Sequence, residues 1–202
     1  MTTDFSQPSL AFRAAHWVHM AHKSLFSAYR LKRCNIALRE ALDSVEREFI
    51  LQFACALRQP ELVVFDIGAS SGVVSRALAK LSNVKTVHAF EPIPDSFQLL
   101  RDYVAGYPSV ICHNVALGNR NQNEKLHLSS QPDSSSLLPM AQTHKTEFPG
   151  SADCREIEVK VARLDDFSAE HQLPPPDVMK IDVQGYELEV LRGGLQTLRQ
   201  AR

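Results

Sequence analysis

Three carboxylates and two glycine-bearing turns are the residues of this chain best placed to do chemistry. In Val64-Phe65-Asp66-Ile67-Gly68-Ala69-Ser70-Ser71-Gly72 an acid ends an apolar run, and two glycines four apart span the turn that follows. Glycines without Cβ atoms let a ligand lie against the backbone, and a cationic amino group on that ligand would suit the carboxylate of Asp66. The spacing is G-x-x-x-G, not the G-x-G-x-x-G of dinucleotide enzymes. Ala89-Phe90-Glu91-Pro92 ends a second apolar stretch with Glu91. A carboxylate can accept from two vicinal hydroxyls at once, and an acid at this point of a doubly wound fold bonds ribose. Facing a crevice, such a side chain would pack against little.

His113-Asn114-Val115-Ala116-Leu117-Gly118 offers an amide that both donates and accepts. Asn114 could read an adenine edge, or it could serve ordinary turn chemistry with Gly118. Met179-Lys180-Ile181-Asp182-Val183-Gln184-Gly185 brings Asp182 to the end of another buried run. Ligands of open α/β sheets bind outside the carboxyl ends of the strands. Asp66, Glu91 and Asp182 therefore converge on one crevice.

The elements that carry these residues alternate. Leu62–Phe65, Val84–Phe90, Val110–His113 and Val178–Val183 read as strands buried in a parallel sheet. Helices are expected from about Val73 to Leu81, from Asp95 to Ala105 and from Glu187 to Arg199. This βαβαβ order predicts a doubly wound α/β fold. Leu117 to Pro149 reads as irregular with one short strand, Lys125 to Leu128, and Ile157 to Val161 alternates as a half-exposed strand. Residues 1–58 form a helical extension, residues 59–202 the α/β domain. In the extension Leu10, Ala14, Trp17, Ala21, Leu25 and Ala28 recur at helical steps, then Leu38, Ala41, Leu42, Val45, Phe49, Phe53 and Leu57. Asp43 and Arg47 sit four apart, as a surface helical pair would.

Composition narrows the classes. A net charge of -1 with 22% charged residues gives no reason to expect nucleic acid. No apolar run is long enough for a transmembrane helix, and Met1 to Pro8 lacks the apolar core of a secretory signal, so a cytoplasmic protein is expected. The four cysteines match no zinc framework, and no metal site is expected. His16, His19 and His22 read as a solvated helix face, and the basic run around Arg13, Lys23, Arg30, Lys32 and Arg33 as an amphipathic helix that packs on the domain or a partner, the alternative being one that lies on an anionic membrane. There is neither a nucleophile elbow nor a P-loop.

Taken in order, Phe65-Asp66-Ile67-Gly68-Ala69-Ser70-Ser71-Gly72, Phe90-Glu91-Pro92, Asn114-Val115-Ala116-Leu117-Gly118 and Lys180-Ile181-Asp182-Val183-Gln184-Gly185-Tyr186-Glu187 resemble the FkbM methyltransferase family. Asp133-Ser134-Ser135-Ser136-Leu137 and Leu164-Asp165-Asp166-Phe167 add to the likeness, which spans about Leu62 to Gly194. The resemblance implies a Rossmann-like class I methyltransferase sheet, S-adenosyl-L-methionine as cofactor, and O-methylation of a hydroxyl on a sugar, polyketide or lipid-linked acceptor. It implies that Asp66, Gly68 and Gly72 line the methionine moiety, that Glu91 holds ribose, and that Asn114 or its neighbours border adenine. Ala69, Pro92 and Ala116 belong to the same cofactor-binding set. Asp182 would lie nearest the transferring methyl, as cofactor contact and first candidate for a base, ahead of His113 and His144. Gln184 stands where the family commonly has Glu. Family members continue beyond the helix near Tyr186, so the sheet is expected to lack C-terminal strands, and its open edge to favour self-association. The alternatives are a non-catalytic scaffold that keeps the fold and a nicotinamide-dependent oxidoreductase, which the missing G-x-G-x-x-G argues against.

Overall fold

The computed structural model describes residues 38, 40–53, 59–128 and 155–201. The expected helix over residues 10 to 28, the His16–His19–His22 row, the basic run, Asp133–Leu137 and His144 lie outside them.

Chain order is α1 (Ser44–Phe53), β1 (Leu62–Ile67), α2 (Val73–Ala79), β2 (Val84–Phe90), α3 (Pro94–Tyr103), β3 (Val110–His113), β4 (Ala116–Gly118), β5 (Gln122–Leu128), β6 (Arg155–Arg163), α4 (Leu164–Glu170), β7 (Val178–Ile181), α5 (Glu187–Gly193) and α6 (Leu195–Gln200). Four strands form a parallel sheet in the order β3-β2-β1-β7. β1 is buried on both faces and apolar except for Asp66. Leu62 and Val64 pack with Leu42 and Ile50 of the α1 region and with Ala77 and Leu78 of the α2 side. Val63, Phe65 and Ile67 face the other way, onto Phe167 of α4 and Val190 of α5.

The expected strands at Lys125–Leu128 and Ile157–Val161 lie within the longer β5 and β6, and with β4, which was not expected, they form a second sheet of order β4-β6-β5. β5 is hard to see in sequence because it is polar: Asn123 bonds Glu158 at 2.8 Å and Lys125 bonds Glu156 at 2.9 Å across the ladder. On one face Leu126 packs against Ala116, Val159 and Val161, while Asn123 and Lys125 on the other are exposed.

The single helix expected from Glu187 to Arg199 is two helices. At Gly193 a Cβ would run into the carbonyl of Gly118, and at Gly194 one would meet the Leu164 side chain. The carboxylate of Asp165 then caps α6, accepting from the Thr197 N–H at 2.8 Å and its hydroxyl at 2.9 Å.

Asp43 accepts the Arg47 N–H on its backbone carbonyl at 3.0 Å, four residues along. It is the N-cap of α1: its Oδ1 accepts the N–H groups of Val45 and Glu46, both at 2.9 Å, and Glu46 Oε2 accepts the Asp43 N–H at 2.9 Å. This is the reciprocal capping-box arrangement. The Arg47 guanidinium donates to the Leu42 carbonyl.

Candidate active site

A cavity of about 500 Å3 opens where β1, β2 and β7 end, a size ordinary for a cofactor site. Its polar rim comes from the turn after β1, from Glu91 and Pro92 after β2, and from Lys180, Asp182 and Gln184 at the end of β7. Val45 and Phe49 of α1 line it as well.

The turn after β1 is tightly specified. Gly68 has φ 77° and Ser70 φ 49°, both left-handed. A Cβ on Gly68 would collide with the Asp182 carbonyl, so only glycine lets β1 and β7 close on each other here. The backbone donors of this turn are almost all engaged. Gly68 and Ala69 N–H donate to the Phe90 carbonyl at 3.0 Å each, Ser70 N–H to Glu91 Oε2 at 2.8 Å, and Gly72 N–H to the Ala69 carbonyl at 2.9 Å.

The sequence-derived residues fall into two groups. Gly68, Ala69, Glu91, Pro92, Ala116 and Asp182 line the cavity. Asp66, Gly72 and Asn114 stand behind its wall. Gly72 lets α3 approach, since a Cβ there would lie 2.7 Å from Leu100 Cδ1. The Asn114 side chain donates to the carbonyls of Glu91 at 2.8 Å and Pro92 at 3.2 Å, which fixes the loop after β2.

Asp66 is fully buried. Its Oδ2 accepts a 2.6 Å hydrogen bond from the Ser75 hydroxyl. Its Oδ1 has the Lys180 ammonium 3.1 Å away, off the hydrogen-bonding direction, and accepts no hydrogen bond. The Asp66 charge therefore already has an internal cation. Lys180 also donates to the Gly68 carbonyl at 2.6 Å and lies 3.9 Å from Asp182 Oδ2.

Glu91 is 4% exposed, and its two oxygens hold the N–H groups of Ser70 and Ile93 at 2.8 and 2.9 Å. The expectation that it packs against little is thus overturned: the carboxylate ties two backbone loops together. Burial pushes its pKa up against the pull of those N–H groups. The Asp182 side chain, by contrast, is 59% exposed and accepts from the Gln184 amide at 3.2 Å.

His113 faces away from the cavity. Its ring stacks on Phe90, meets Phe167 edge-on, and shares a 3.1 Å nitrogen–nitrogen contact with His88. Burial holds both histidines neutral, with pKa values lowered to about 4.

Lys180, Phe49 and Tyr186 had no role assigned from sequence. For Lys180 a signal existed, because a residue two before Asp182 on a strand shares its face. Its register against Asp66 was not visible in the sequence. Tyr186 donates its hydroxyl to Glu124 Oε2 at 3.0 Å, and burial with that carboxylate pushes its pKa up to about 12.

Residues 66–202 match the family model of the methyltransferase FkbM domain. The chain is 29% identical to the 2-O-methyltransferase NoeI of Sinorhizobium fredii over 75% of its length, spanning 65% of that protein. It is 29% identical to the hexuronic acid methyltransferase AglP of Haloferax volcanii, over 93% of this chain and 77% of that one. A crystal structure of methyltransferase FkbM from Methylobacillus flagellatus aligns with a TM-score of 0.46 at 16% identity, covering 87% of this chain and 45% of the other. Apart from Val45 and Phe49, the residues that line the cavity lie within the matched segment, and the chain belongs to the methyltransferase FkbM family.

Proposed function

We propose that this chain is an S-adenosylmethionine-dependent O-methyltransferase acting on a hydroxyl of a sugar-type, polyketide or lipid-linked acceptor. The observation that carries the reading is the cavity at the carboxyl ends of β1, β2 and β7, with Glu91 and Asp182 on its wall beside the Gly68–Ser71 turn. Family membership supports methyl transfer. The 2-O-methyltransferase and the hexuronic acid methyltransferase among its relatives support a sugar hydroxyl as the target. A cytoplasmic setting belongs to the same reading.

The residues fit the cofactor. Glu91 is held by two backbone donors with its carboxylate on the cavity wall, the placement that binding ribose hydroxyls needs. Ile93, Val115, Ala116 and Leu126 offer an apolar slot for a purine. When bound, the sulfonium supplies an already activated methyl group. What the chain adds is alignment, which can lower a barrier by up to about 7–11 kcal/mol in well-oriented systems. Asp182 is the exposed carboxylate on the wall and takes the acceptor's hydroxyl proton on Oδ2, while Gln184 holds Oδ1.

Calorimetric titration tests the reading. S-adenosylmethionine and S-adenosylhomocysteine should bind and NAD should not. Binding of NAD without response to either adenosyl ligand would replace it with an oxidoreductase.

A further inference from the structure

The cavity's anionic groups are three, counting Asp66 behind the wall, and Lys180 is the only cation among its described lining residues. An adenosyl amino-acid ligand brings a carboxylate that must find donors. In many α/β sites those donors are the N–H groups of a glycine turn and a following helix N-terminus. Here the N–H groups of Gly68, Ala69, Ser70 and Gly72 all have internal acceptors, and α2 is only seven residues long. The Tyr186 hydroxyl is engaged by Glu124, and the Gln184 amide by Asp182. Beyond Lys180, the side-chain donors on the wall are the neutral hydroxyls of Ser70, Ser71 and Ser96.

Lys180 is poised differently. It is cross-strand partner to Asp66 in the β1–β7 register, so the side chains share one face. Its side chain is 14% exposed, and its ammonium is anchored by the Gly68 carbonyl at the start of the turn where a methionine moiety would lie. An ammonium has three donors. One goes to Gly68, and one side of the nitrogen faces the off-line Asp66 oxygen. The third direction remains for the cavity, where Asp182 is 3.9 Å away and largely solvated.

Building on the adenosyl-ligand reading, we propose that Lys180 is the carboxylate-binding residue of the site: neutralised on its inner side by Asp66, it receives the α-carboxylate of the ligand's amino-acid end on its outer side. The polarity is the reverse of the one the sequence suggests, in which Asp66 meets the ligand's ammonium.

A ligand-and-residue cycle tests this with S-adenosylhomocysteine and its α-carboxyl methyl ester, titrated into the wild type and Lys180→Met. Removing the ligand's charge should weaken wild-type binding about tenfold or more, as expected for losing a charge-assisted hydrogen bond. In Lys180→Met the same change should matter less than twofold. An equal penalty in both proteins overturns the assignment, because a merely structural lysine would not couple to the ligand's carboxylate. Lys180→Met leaves Asp66 buried without its cation, so the Asp66→Asn/Lys180→Met double variant provides a folded counterpart for the same cycle. If the wild type binds neither ligand, the functional reading falls and this assignment with it. Binding of both at equal strength to the wild type removes the assignment alone.

Discussion

Two buried carboxylates among the described residues are each paired with a lysine, and the pairs are built to opposite standards. Glu46 of α1 is fully buried and saturated: Lys80 donates to both its oxygens at 2.7 and 2.9 Å, the Asp43 N–H adds a third bond, and Arg76 stands 3.4 Å away. Lys80 is equally complete, since its remaining contact is the Ala41 carbonyl at 3.3 Å. Asp66, just as buried, has one oxygen satisfied by Ser75 and the other with no hydrogen bond, and its lysine opens onto a cavity. A saturated pair fixes structure, here the seating of α1 on α2. An unsaturated pair beside a cavity is where a ligand can gain binding energy, because unmet polar groups in a low-dielectric setting carry the largest stake. The two carboxylates are equally buried, so it is the unmet Asp66 oxygen and not burial of the acid that separates site from scaffold.

The largest effect should come from the saturated pair. Glu46→Ala strands the ammonium of Lys80 in the interior, and breaking a buried pair from one side costs about 3–5 kcal/mol. Urea denaturation should show that loss, and the Glu46→Ala/Lys80→Met double variant should recover part of it. Since α1 places Val45 and Phe49 on the cavity wall, the single variant should also disturb the site. A loss below 1 kcal/mol would mean that the pair is not structural and that the contrast drawn above is wrong.

Glu91→Ala comes next. It removes the acceptor for the buried Ser70 and Ile93 N–H groups, so stability should fall by about 1–3 kcal/mol, limited by water entering from the cavity. Adenosyl-ligand affinity should fall as well. Loss of affinity with full stability would restore the simpler picture of a carboxylate that only faces a crevice.

A third case carries no charge. His88 and His113 are stacked among Phe65, Phe90 and Phe167 with pKa values lowered from 6.5 to about 4. The unfolded chain takes up those protons first, so their contribution is present above pH 6.5 and is lost as pH falls through 4. Glu91 acts in the opposite sense: its raised pKa favours the folded state at low pH and that contribution fades as pH rises past 4.5. With two histidines against one carboxylate, melting temperature should drop between pH 6.5 and 4. His88→Leu should flatten that slope even if it lowers the melting temperature throughout. An unchanged slope would place the acid sensitivity elsewhere.

The parallel sheet and the cavity-facing residues were legible because each is a local pattern: an apolar run, an acid or glycine at its end, and a turn. Leu62–Phe65 followed by Asp66 and Gly68 is such a unit, and so is Val178–Ile181 followed by Asp182. What was illegible needed pairing between distant segments. Lys180 gains its role from lying opposite Asp66, more than a hundred residues away in sequence, and the motif gives no register. β5 was only partly seen because its stabilising partners, Glu158 and Glu156, sit on β6 and replace the apolar alternation that marks a strand. One signal is ambiguous in sequence: Asp43 and Glu46 at cap spacing announce a helix start, while Asp43 also fits a four-residue pair with Arg47.

The smallest effect should fall on the link between the two sheets. Tyr186, 8% exposed at the start of α5, donates to Glu124 of β5 and so ties the turn after β7 to the second sheet across the cavity. With its pKa near 12 the hydroxyl stays a neutral donor through the physiological range. It can therefore hold Glu124 but cannot serve as a base. Tyr186→Phe deletes one hydrogen bond and leaves the ring packed. Glu124 is half-buried and can turn to water, so the loss should be about 0.5–1.5 kcal/mol, near the usual net value of a hydrogen bond. For a chain of this size that corresponds to a fall of a few degrees in melting temperature. The ring itself should matter more, because Gly118 is shaped to receive it: a Cβ there would lie 2.9 Å from Tyr186 Cε1. Tyr186→Ala should therefore destabilise well beyond Tyr186→Phe. If the two variants melted alike, the hydroxyl would carry the link alone, and half-wet contacts would rank with the saturated pair at Glu46.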